Sequence, residues 1–358
     1  MSARALSALV LGVVVLAPGP AVADSPNCAV HPNSRLIQWP TASPVWEMCM
    51  LTPLNSSSNT GNGSGIEIRD VFYNGHLVFK RAHAPILNVL YLPGGCGCFR
   101  DWSDQEVKFR VKDPNGVPIN PAGAGNYYET NFPAETVCET GGTGGDIPST
   151  TGFRGVSAEK TGDPLVLTTQ MTAGWYRYVM RWKFYLDGRI QPWYGYSAVS
   201  ASCISNAHTH HNYWRLDFDI DGAANDVIQR GTPAPAPAGG PVMVEVTGSE
   251  VSSFIRPNYQ WTVYDLQTRR GYRVVPGSII PADSFAVSDS WALMYRANEL
   301  DDSSGACATS LNNLLNAESI NNQDVVLWVR GGQFHQANHL DDCGMSVYTL
   351  EPFGDWSP

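Results

Sequence analysis

The residues with the clearest chemical potential are the histidines of segment 208–222, which reads HTHHNYWRLDFDIDG. In a β-strand alternate side chains share a face, so His208 and His210 can direct their imidazoles at one ion. Neutral imidazole suits copper, zinc, iron or nickel, and a third histidine from elsewhere would leave positions open for water or substrate. Taken alone, the pair is better explained as surface histidines on a polar strand face, because a short motif needs its structural context.

Segments with the composition of β-strands occur along the whole chain. They are rich in β-branched and aromatic residues, and turn sequences such as Tyr73-Asn74-Gly75 separate them. The segments are 66–72, 76–80, 87–92, 165–170, 176–186, 213–220, 242–246, 261–264 and 325–329. No long amphipathic helix is evident, so the pattern predicts a mainly β fold, a large antiparallel β-sandwich. A Pro/Ala/Gly-rich segment at 231–241 and a Ser/Asn/Gly-rich segment at 55–65 are expected to be loops.

The first 23 residues have the pattern of a signal peptide. Arg4 precedes an apolar run at 5–17, and small residues at 21–23 form a cleavage site. No segment reaches the roughly 20 apolar residues that a transmembrane helix needs, so the sequence predicts a secreted or periplasmic protein. Removal of Arg4, the one charged residue of this segment, takes the net charge from −10 to −11. That balance argues against nucleic acid and anionic membrane as partners.

Eight cysteines follow the signal peptide, at positions 28, 49, 96, 98, 138, 203, 307 and 343. An even number in an exported protein favours disulfide bonds over free thiols, although the spacing cannot fix the pairing. For the same reason structural bridges are a better explanation of Cys96-Gly97-Cys98 than metal or redox chemistry.

Three blocks in order along the chain resemble the catalytic domain of the copper-dependent, quinone-containing amine oxidases. The blocks are TAGWYRY at 172–178 with WKFYLDGRI at 182–190, the HxH segment, and QDVVLW at 323–328 leading to GQFH at 332–335. The resemblance covers residues 60–358 and implies that family's β-supersandwich, after a signal peptide at 1–23 and an N-terminal extension at 24–59.

The resemblance implies a copper site and an organic cofactor. In the family the HxH motif supplies two copper ligands and a histidine after the QDxVxW strand supplies the third, which correspond here to His208, His210 and His335. His211 would point to the opposite face of the strand. Tyr176 occupies the position of the tyrosine that becomes topaquinone, and Tyr91 lies near that of a tyrosine that hydrogen-bonds the quinone. The alternative for Tyr176 is an ordinary aromatic residue in an aromatic-rich strand.

A calcium site is also implied by the resemblance. Its ligands would be the carboxylates of Asp217, Asp219 and Asp324 with the carbonyl oxygens of Phe218 and Val325, an all-oxygen set that calcium prefers. The alternative is a solvated acidic strand face.

Family analogy extends to the covalent and quaternary structure. The GCGC element at 95–98 corresponds to a family element whose second cysteine pairs with a later one, which implies a Cys98–Cys138 disulfide and leaves Cys307 and Cys343 as a further pair. The analogy also implies a homodimer.

The chain departs from the family at the cofactor and at the base. Trp175-Tyr176-Arg177 replaces an Asn-Tyr-Asp/Glu motif, so Arg177 is expected to place a positive charge beside an approaching amine. Segment 84–98, where the family has its catalytic aspartate, contains no Asp or Glu. Loss of a general base costs roughly 10²- to 10⁴-fold in rate, unless Asp101 or Asp104 replaces it. The family's smaller preceding domains are not recognisable in this sequence.

The sequence therefore favours a secreted copper-dependent oxidase that uses dioxygen and an amine or another small molecule, with ordinary primary-amine oxidation impaired. One alternative is a non-catalytic copper-binding or structural protein on the same fold. Another is a different reaction of copper with dioxygen in which Tyr176 stays unmodified.

Overall fold

The structure is a computed structural model, and the residues that it describes consist mainly of β-strands. Described are residues 25–59, 63–91, 96–101, 105–119, 127–140, 152–198, 202–233, 241–245, 248–253, 260–277, 288–302, 311–338, 341–346 and 348–358. The predicted signal peptide, Asp104, Cys307 and most of segment 231–241 lie outside them. None of the helices within these ranges is long and apolar enough to cross a bilayer.

The strands are numbered in chain order. They are β1 Arg35–Trp39, β2 Trp46–Leu51, β3 Glu67–Tyr73, β4 His76–Tyr91, β5 Cys98–Asp101, β6 Arg110–Lys112, β7 Pro118–Ile119, β8 Tyr127–Thr130, β9 Ala134–Glu135, β10 Val156–Glu159, β11 Leu165–Ala173, β12 Tyr176–Phe184, β13 Ile190–Ala198, β14 His208–Phe218, β15 Asp226–Pro233, β16 Pro241–Glu245, β17 Val251–Ser253, β18 Gln260–Asp265, β19 Gly271–Pro276, β20 Ser290–Met294, β21 Val325–His335, β22 Asp341–Ser346 and β23 Tyr348–Phe353. Short 3-10 helices occupy Cys28–Val30, Pro53–Asn55, Ser202–Ser205 and Leu311–Leu314.

Two large sheets form the body of the protein, which confirms the predicted β-sandwich. The first sheet has nine strands in the order β1-β2-β3-β4-β14-β21-β20-β17, with β5 added to β4. The second has eleven strands in the order β16-β15-β18-β19-β23-β13-β12-β11-β10-β8, with β22 added to β13. Strand pairing is antiparallel throughout these sheets except between β8 and β10. The predicted N-terminal extension is part of the sandwich, since it contributes β1 and β2 to the first sheet.

Strand β14 lies in the middle of the first sheet, hydrogen-bonded to β4 on one side and β21 on the other. All eleven of its residues are buried. Its even-numbered apolar residues, Trp214, Leu216 and Phe218, belong to the main core between the sheets, whereas Tyr213 packs in a smaller cluster on the other face with Trp291. The two-residue period of a strand therefore sets which of its side chains enter the sandwich.

Strand β12 of the second sheet presents the opposite wall of the core. Its even-numbered residues from Tyr176 to Phe184 are buried in the same cluster as those of β14. Trp182 contacts Trp214 edge to face, with ring centroids 4.9 Å apart. Because both strands alternate with the same period, the side chains at 176 and 178 face the N-terminal end of β14, where the histidines lie.

The described disulfides correct the predicted pairing. Cys28 is bonded to Cys49, Cys96 to Cys203, and Cys138 to Cys343. The predicted Cys98–Cys138 and Cys307–Cys343 bonds are therefore wrong, although Cys98 is disulfide-bonded.

The tertiary structure explains the Cys138–Cys343 bond. Cys343 lies on β22, which pairs with β13, and the Cys138 sulfur rests against Gly195 of β13. A Cβ at Gly195 would come within 3.0 Å of that sulfur, so the glycine leaves room for the bridge. The two cysteines are brought together by strand pairing, so their spacing in the sequence could not predict the bond.

Candidate metal centre

The three predicted copper ligands meet at one end of the first sheet. His208 and His210 begin β14, and His335 ends β21 directly opposite His208 in the antiparallel register. All three side chains are fully buried. One ligand atom from each lies within 4.8 Å of those of the other two, which makes this a cluster able to hold a metal ion.

Hydrogen bonds define which ring nitrogens face the centre of the cluster. His208 Nδ1 donates to the Asn206 carbonyl at 2.8 Å, so the Nε2 lone pair of this neutral ring points inward. His335 Nδ1 lies 3.0 Å from that Nε2. His210 Nε2 is buried and has no hydrogen-bond partner among the described residues.

Electrostatics keep the imidazoles in the form that binds metals. Burial lowers the pKa of His208, and burial together with His208, His335 and His211 holds the pKa of His210 well below its usual value. Both rings are therefore neutral near pH 7 and offer a lone pair, as metal coordination requires.

Tyr176 enters the same cluster from the second sheet. Its hydroxyl lies 2.6 Å from His208 Nε2 and 3.3 Å from His335 Nδ1, and the side chain is buried. Because His208 Nε2 is an acceptor, the phenol donates to it. The residue predicted as the cofactor tyrosine is thus in contact with two of the predicted metal ligands.

Two further tyrosines, neither of them predicted from the sequence as a site residue, contact His210. The Tyr178 hydroxyl is 3.0 Å from His210 Nδ1, and the Tyr196 ring stacks on His210 with centroids 3.8 Å apart. Tyr178 follows Tyr176 by two residues on the same strand face, so strand periodicity could have identified it. Tyr196, from β13, has no such local signal.

Tyr91 lies beside His208 as the β4–β14 register requires. Its ring stacks on His208 at 4.4 Å, and its hydroxyl accepts a hydrogen bond from Trp175 Nε1 at 3.0 Å. Phe99 packs edge to face against both Tyr91 and Trp175, with centroids 5.8 and 5.3 Å away. The three aromatic rings form one cluster, in which Tyr91 is the member that contacts His208.

The cation expected beside the cofactor lies elsewhere. Arg177 donates to the Thr172 hydroxyl and, at 3.1 Å, to the carbonyl oxygen of Tyr176. Consecutive residues of a strand face opposite ways, so this guanidinium is directed away from the face that carries the Tyr176 phenol. The expected placement of its charge beside an approaching amine is therefore wrong.

The Asp101 side chain and Asp104 lie outside the described part of the chain.

His211 is turned away from the three clustered histidines. Its Nδ1 contacts the Arg330 guanidinium, which also donates to Asp289 Oδ1. The structure thus gives this histidine an arginine neighbour on the other face of β14.

The predicted calcium ligands also come together, at the opposite end of the same two strands. Phe218 pairs with Val325 at the end of the β14–β21 ladder, so Asp219 and Asp324 flank that pair directly. Oxygens of Asp217, Asp219 and Asp324 lie within 4.8 Å of one another. Each of these carboxylates has an Oδ1 atom that is buried without a hydrogen-bond partner among the described residues.

Crowding of the carboxylates perturbs their protonation. Burial, Asp217 and Asp324 raise the pKa of Asp219 to about 8, and burial with Asp217 raises that of Asp324 to about 7. Arg215 donates to Asp217 Oδ2 at 3.2 Å. A cation would stabilise the ionised forms, and oxygen ligands of this kind suit a hard divalent ion.

Both clusters fit the ions that the sequence predicts. The histidine cluster offers three imidazoles with an unpartnered buried nitrogen, a donor set typical of copper and other late transition metals. The acidic cluster offers buried oxygens and no nitrogen or sulfur.

Comparisons with known proteins agree with this geometry. The model of the copper amine oxidase enzyme domain matches residues 151–351, more than half of the chain. No curated protein sequence matches. Similar solved structures include a copper-containing benzylamine oxidase from Hansenula polymorpha, at 14% identity and a TM-score of 0.56, over 95% of this chain and 63% of that one.

Two other fungal structures have the same fold. The amine oxidase of Aspergillus nidulans is 14% identical with a TM-score of 0.55, over 86% of this chain and 51% of its own. Pichia pastoris lysyl oxidase is 14% identical with a TM-score of 0.54, over 87% and 52%. The chain thus spans between half and two thirds of the length of these structures. By its match to the enzyme-domain model, this chain belongs to the copper amine oxidase family.

Proposed function

We propose that the protein is an exported copper oxidoreductase in which His208, His210 and His335 hold the metal. The observation that carries the proposal is the convergence of three buried imidazoles on the phenol of Tyr176. Family membership supports copper as the ion. Bound copper would supply a site for dioxygen next to an oxidisable tyrosine.

The surrounding residues hold this arrangement in place. The Asn206 carbonyl orients His208, and Tyr178 with Tyr196 orients His210. Such contacts fix the tautomer and direction of a ligating histidine. Tyr91, which packs against Phe99 and Trp175, covers one face of the His208 ring.

We further propose Tyr176 as the precursor of a topaquinone. Its hydroxyl contact with His208 places the phenol next to the proposed copper ligands, where copper and dioxygen could oxidise it. A quinone would supply a carbonyl that reacts with amines. Tyr91 would border this cofactor through its stacking on His208 and its hydrogen bond with Trp175.

Simple primary amines are expected to be poor substrates. The structural relatives include a benzylamine oxidase, but segment 84–98 of this chain contains no Asp or Glu to act as base. This expectation does not depend on Arg177, because its guanidinium is directed away from the face that carries the Tyr176 phenol. We therefore expect a deficit of about 10²- to 10⁴-fold in peroxide release from benzylamine or tyramine relative to an enzyme with a positioned base.

The experiment is to mature the purified protein with copper and air, then test it for quinone staining and for a mass change in the peptide that contains Tyr176. Tyr176→Phe is the matched control for both readouts. A modified peptide without amine turnover would support a retained cofactor with another substrate. Copper binding with an unmodified tyrosine would favour a copper-binding module without amine oxidase activity, and robust peroxide release from benzylamine would contradict the expected loss of turnover.

We propose a calcium ion for the acidic cluster, held by Asp217, Asp219 and Asp324 with the carbonyl oxygens of Phe218 and Val325. The unpartnered buried carboxylate oxygens support it.

Export is supported by the three described disulfides, which are typical of oxidising compartments. A homodimer is proposed on family grounds alone.

A further inference from the structure

Asp226 is a buried carboxylate that the predicted calcium site does not include. It opens strand β15 of the second sheet and has no exposed surface. Neither of its carboxylate oxygens has a hydrogen-bond partner among the described residues. Burial of an ionised carboxylate is unfavourable unless it is paired or bound to a metal. Burial and neighbouring carboxylates raise the pKa of Asp226 to about 10, so without a cation this side chain is protonated near pH 7.

The electrostatic neighbours of Asp226 are mainly other carboxylates. Those that act on it are Asp219, Asp265, Asp324 and Asp217, with Asp219 the strongest. Its backbone also forms a β-bridge with Gln323, the residue before Asp324. Asp226 therefore lies near the acidic cluster on the side of the second sheet, outside the group of three carboxylates whose oxygens are within 4.8 Å of one another.

The cations that act on the neighbouring Asp217 and Asp219 pair with carboxylates other than Asp226. Arg215 donates to Asp217, Lys80 forms an ion pair with Asp70, and Arg81 pairs with Glu67. The unpartnered oxygens of Asp226 are thus added to those of three other acidic side chains. A hard divalent cation is the species that such a set of oxygens accommodates.

We propose that Asp226 is a direct ligand of the cation held by Asp217, Asp219 and Asp324. The inference rests on the proposed calcium site and extends it across the sandwich. Asp217 belongs to β14 of the first sheet, and Asp226 belongs to β15 of the second. One ion bound by both residues links the two sheets at the end opposite to the histidines.

The test uses Tb³⁺ as a luminescent substitute for Ca²⁺ on chelator-treated protein. Luminescence lifetimes in H₂O and D₂O count the water molecules on the ion, and competition with Ca²⁺ gives the calcium affinity. Asp226→Asn is compared with Asp265→Asn, which removes a carboxylate charge from the same neighbourhood. Asp265 Oδ1 accepts hydrogen bonds from the Gln267 and Thr268 amides, so asparagine can preserve that turn.

Loss of a carboxylate ligand in Asp226→Asn is expected to raise the number of bound waters by about one. The same variant should weaken calcium binding by about tenfold or more, the effect typical of a lost group around a metal. Asp265→Asn should keep the wild-type water count. Equal water counts and equal losses of affinity in the two variants would overturn the proposal and leave Asp226 as a remote charge.

Two further outcomes distinguish the role of Asp226 from the existence of the calcium site. If the wild-type protein binds neither Tb³⁺ nor Ca²⁺, both are wrong. If Asp217→Asn abolishes binding while Asp226→Asn leaves affinity and water count unchanged, the cation site stands and the role of Asp226 is refuted.

Discussion

Replacement of Tyr178 by phenylalanine is expected to weaken copper binding without removing any metal ligand. The Tyr178 hydroxyl lies 3.0 Å from His210 Nδ1, and both side chains are buried. Coordination through Nε2 requires the proton of the neutral ring on Nδ1, where the phenol oxygen accepts it. In Tyr178→Phe that N–H loses its acceptor in a site that water does not reach.

The size of the effect follows from this burial. An unsatisfied buried donor costs about 1–3 kcal/mol, and loss of a group that orients a metal ligand typically lowers affinity about 10- to 100-fold. These estimates agree, because each factor of ten corresponds to about 1.4 kcal/mol. We therefore expect the Kd for copper to rise about 10- to 100-fold.

The assay is competition for Cu²⁺ with a chromogenic chelator, combined with paramagnetic resonance of the loaded protein. Tyr272→Phe is the matched control, because the buried Tyr272 hydroxyl donates to the Gly188 carbonyl at 3.0 Å and belongs to another part of the core. Both variants lose a buried hydroxyl, but Tyr178→Phe alone should change the copper Kd and the nitrogen hyperfine pattern. Identical copper affinities in the two variants would refute the orienting role of Tyr178.

Three other predictions concern the ligands, the covalent framework and assembly. His210→Ala should abolish tight copper binding, measured by metal analysis after dialysis; retention of one tightly bound copper would contradict the ligand assignment. The double variant Cys138→Ala and Cys343→Ala opens a 205-residue separation, for which the chain-entropy model gives about 5 kcal/mol of lost stability; unchanged denaturant unfolding would show that other contacts hold this region. Light scattering at micromolar concentration should give twice the chain mass if the protein is a homodimer, and a monomer would dispose of that proposal.

Strand periodicity accounts for much of what could be predicted from the sequence. The alternation of β14 places His208 and His210 on one face and turns His211 away. The same alternation, applied consistently, would have placed Arg177 on the face opposite Tyr176. The expected position of the Arg177 charge was wrong because residues adjacent in a strand point to opposite faces of the sheet.

Strand periodicity could not predict the contacts between the two sheets. Tyr196 stacks on His210, and Asp219 acts on the charge of Asp226, because the fold packs separate strands together. The disulfide pairing could not be predicted for the same reason, because Cys138 is brought to Cys343 by the pairing of β22 with β13. Local patterns determine the face of a side chain, whereas its partners depend on which strands the core brings opposite each other.

The uninterrupted ladder between β14 and β21 restricts how the length of this segment can vary. His208 and Asp217 lie on one strand, about 30 Å apart at roughly 3.3 Å per residue. The eleven pairs from His208–His335 to Phe218–Val325 contain no bulge. Deletion or insertion of one residue between them would turn one end of the strand over relative to the other. Such a change could keep the histidines or the carboxylates in place, but not both, so related sequences that bind both ions should show no length variation between positions 211 and 216.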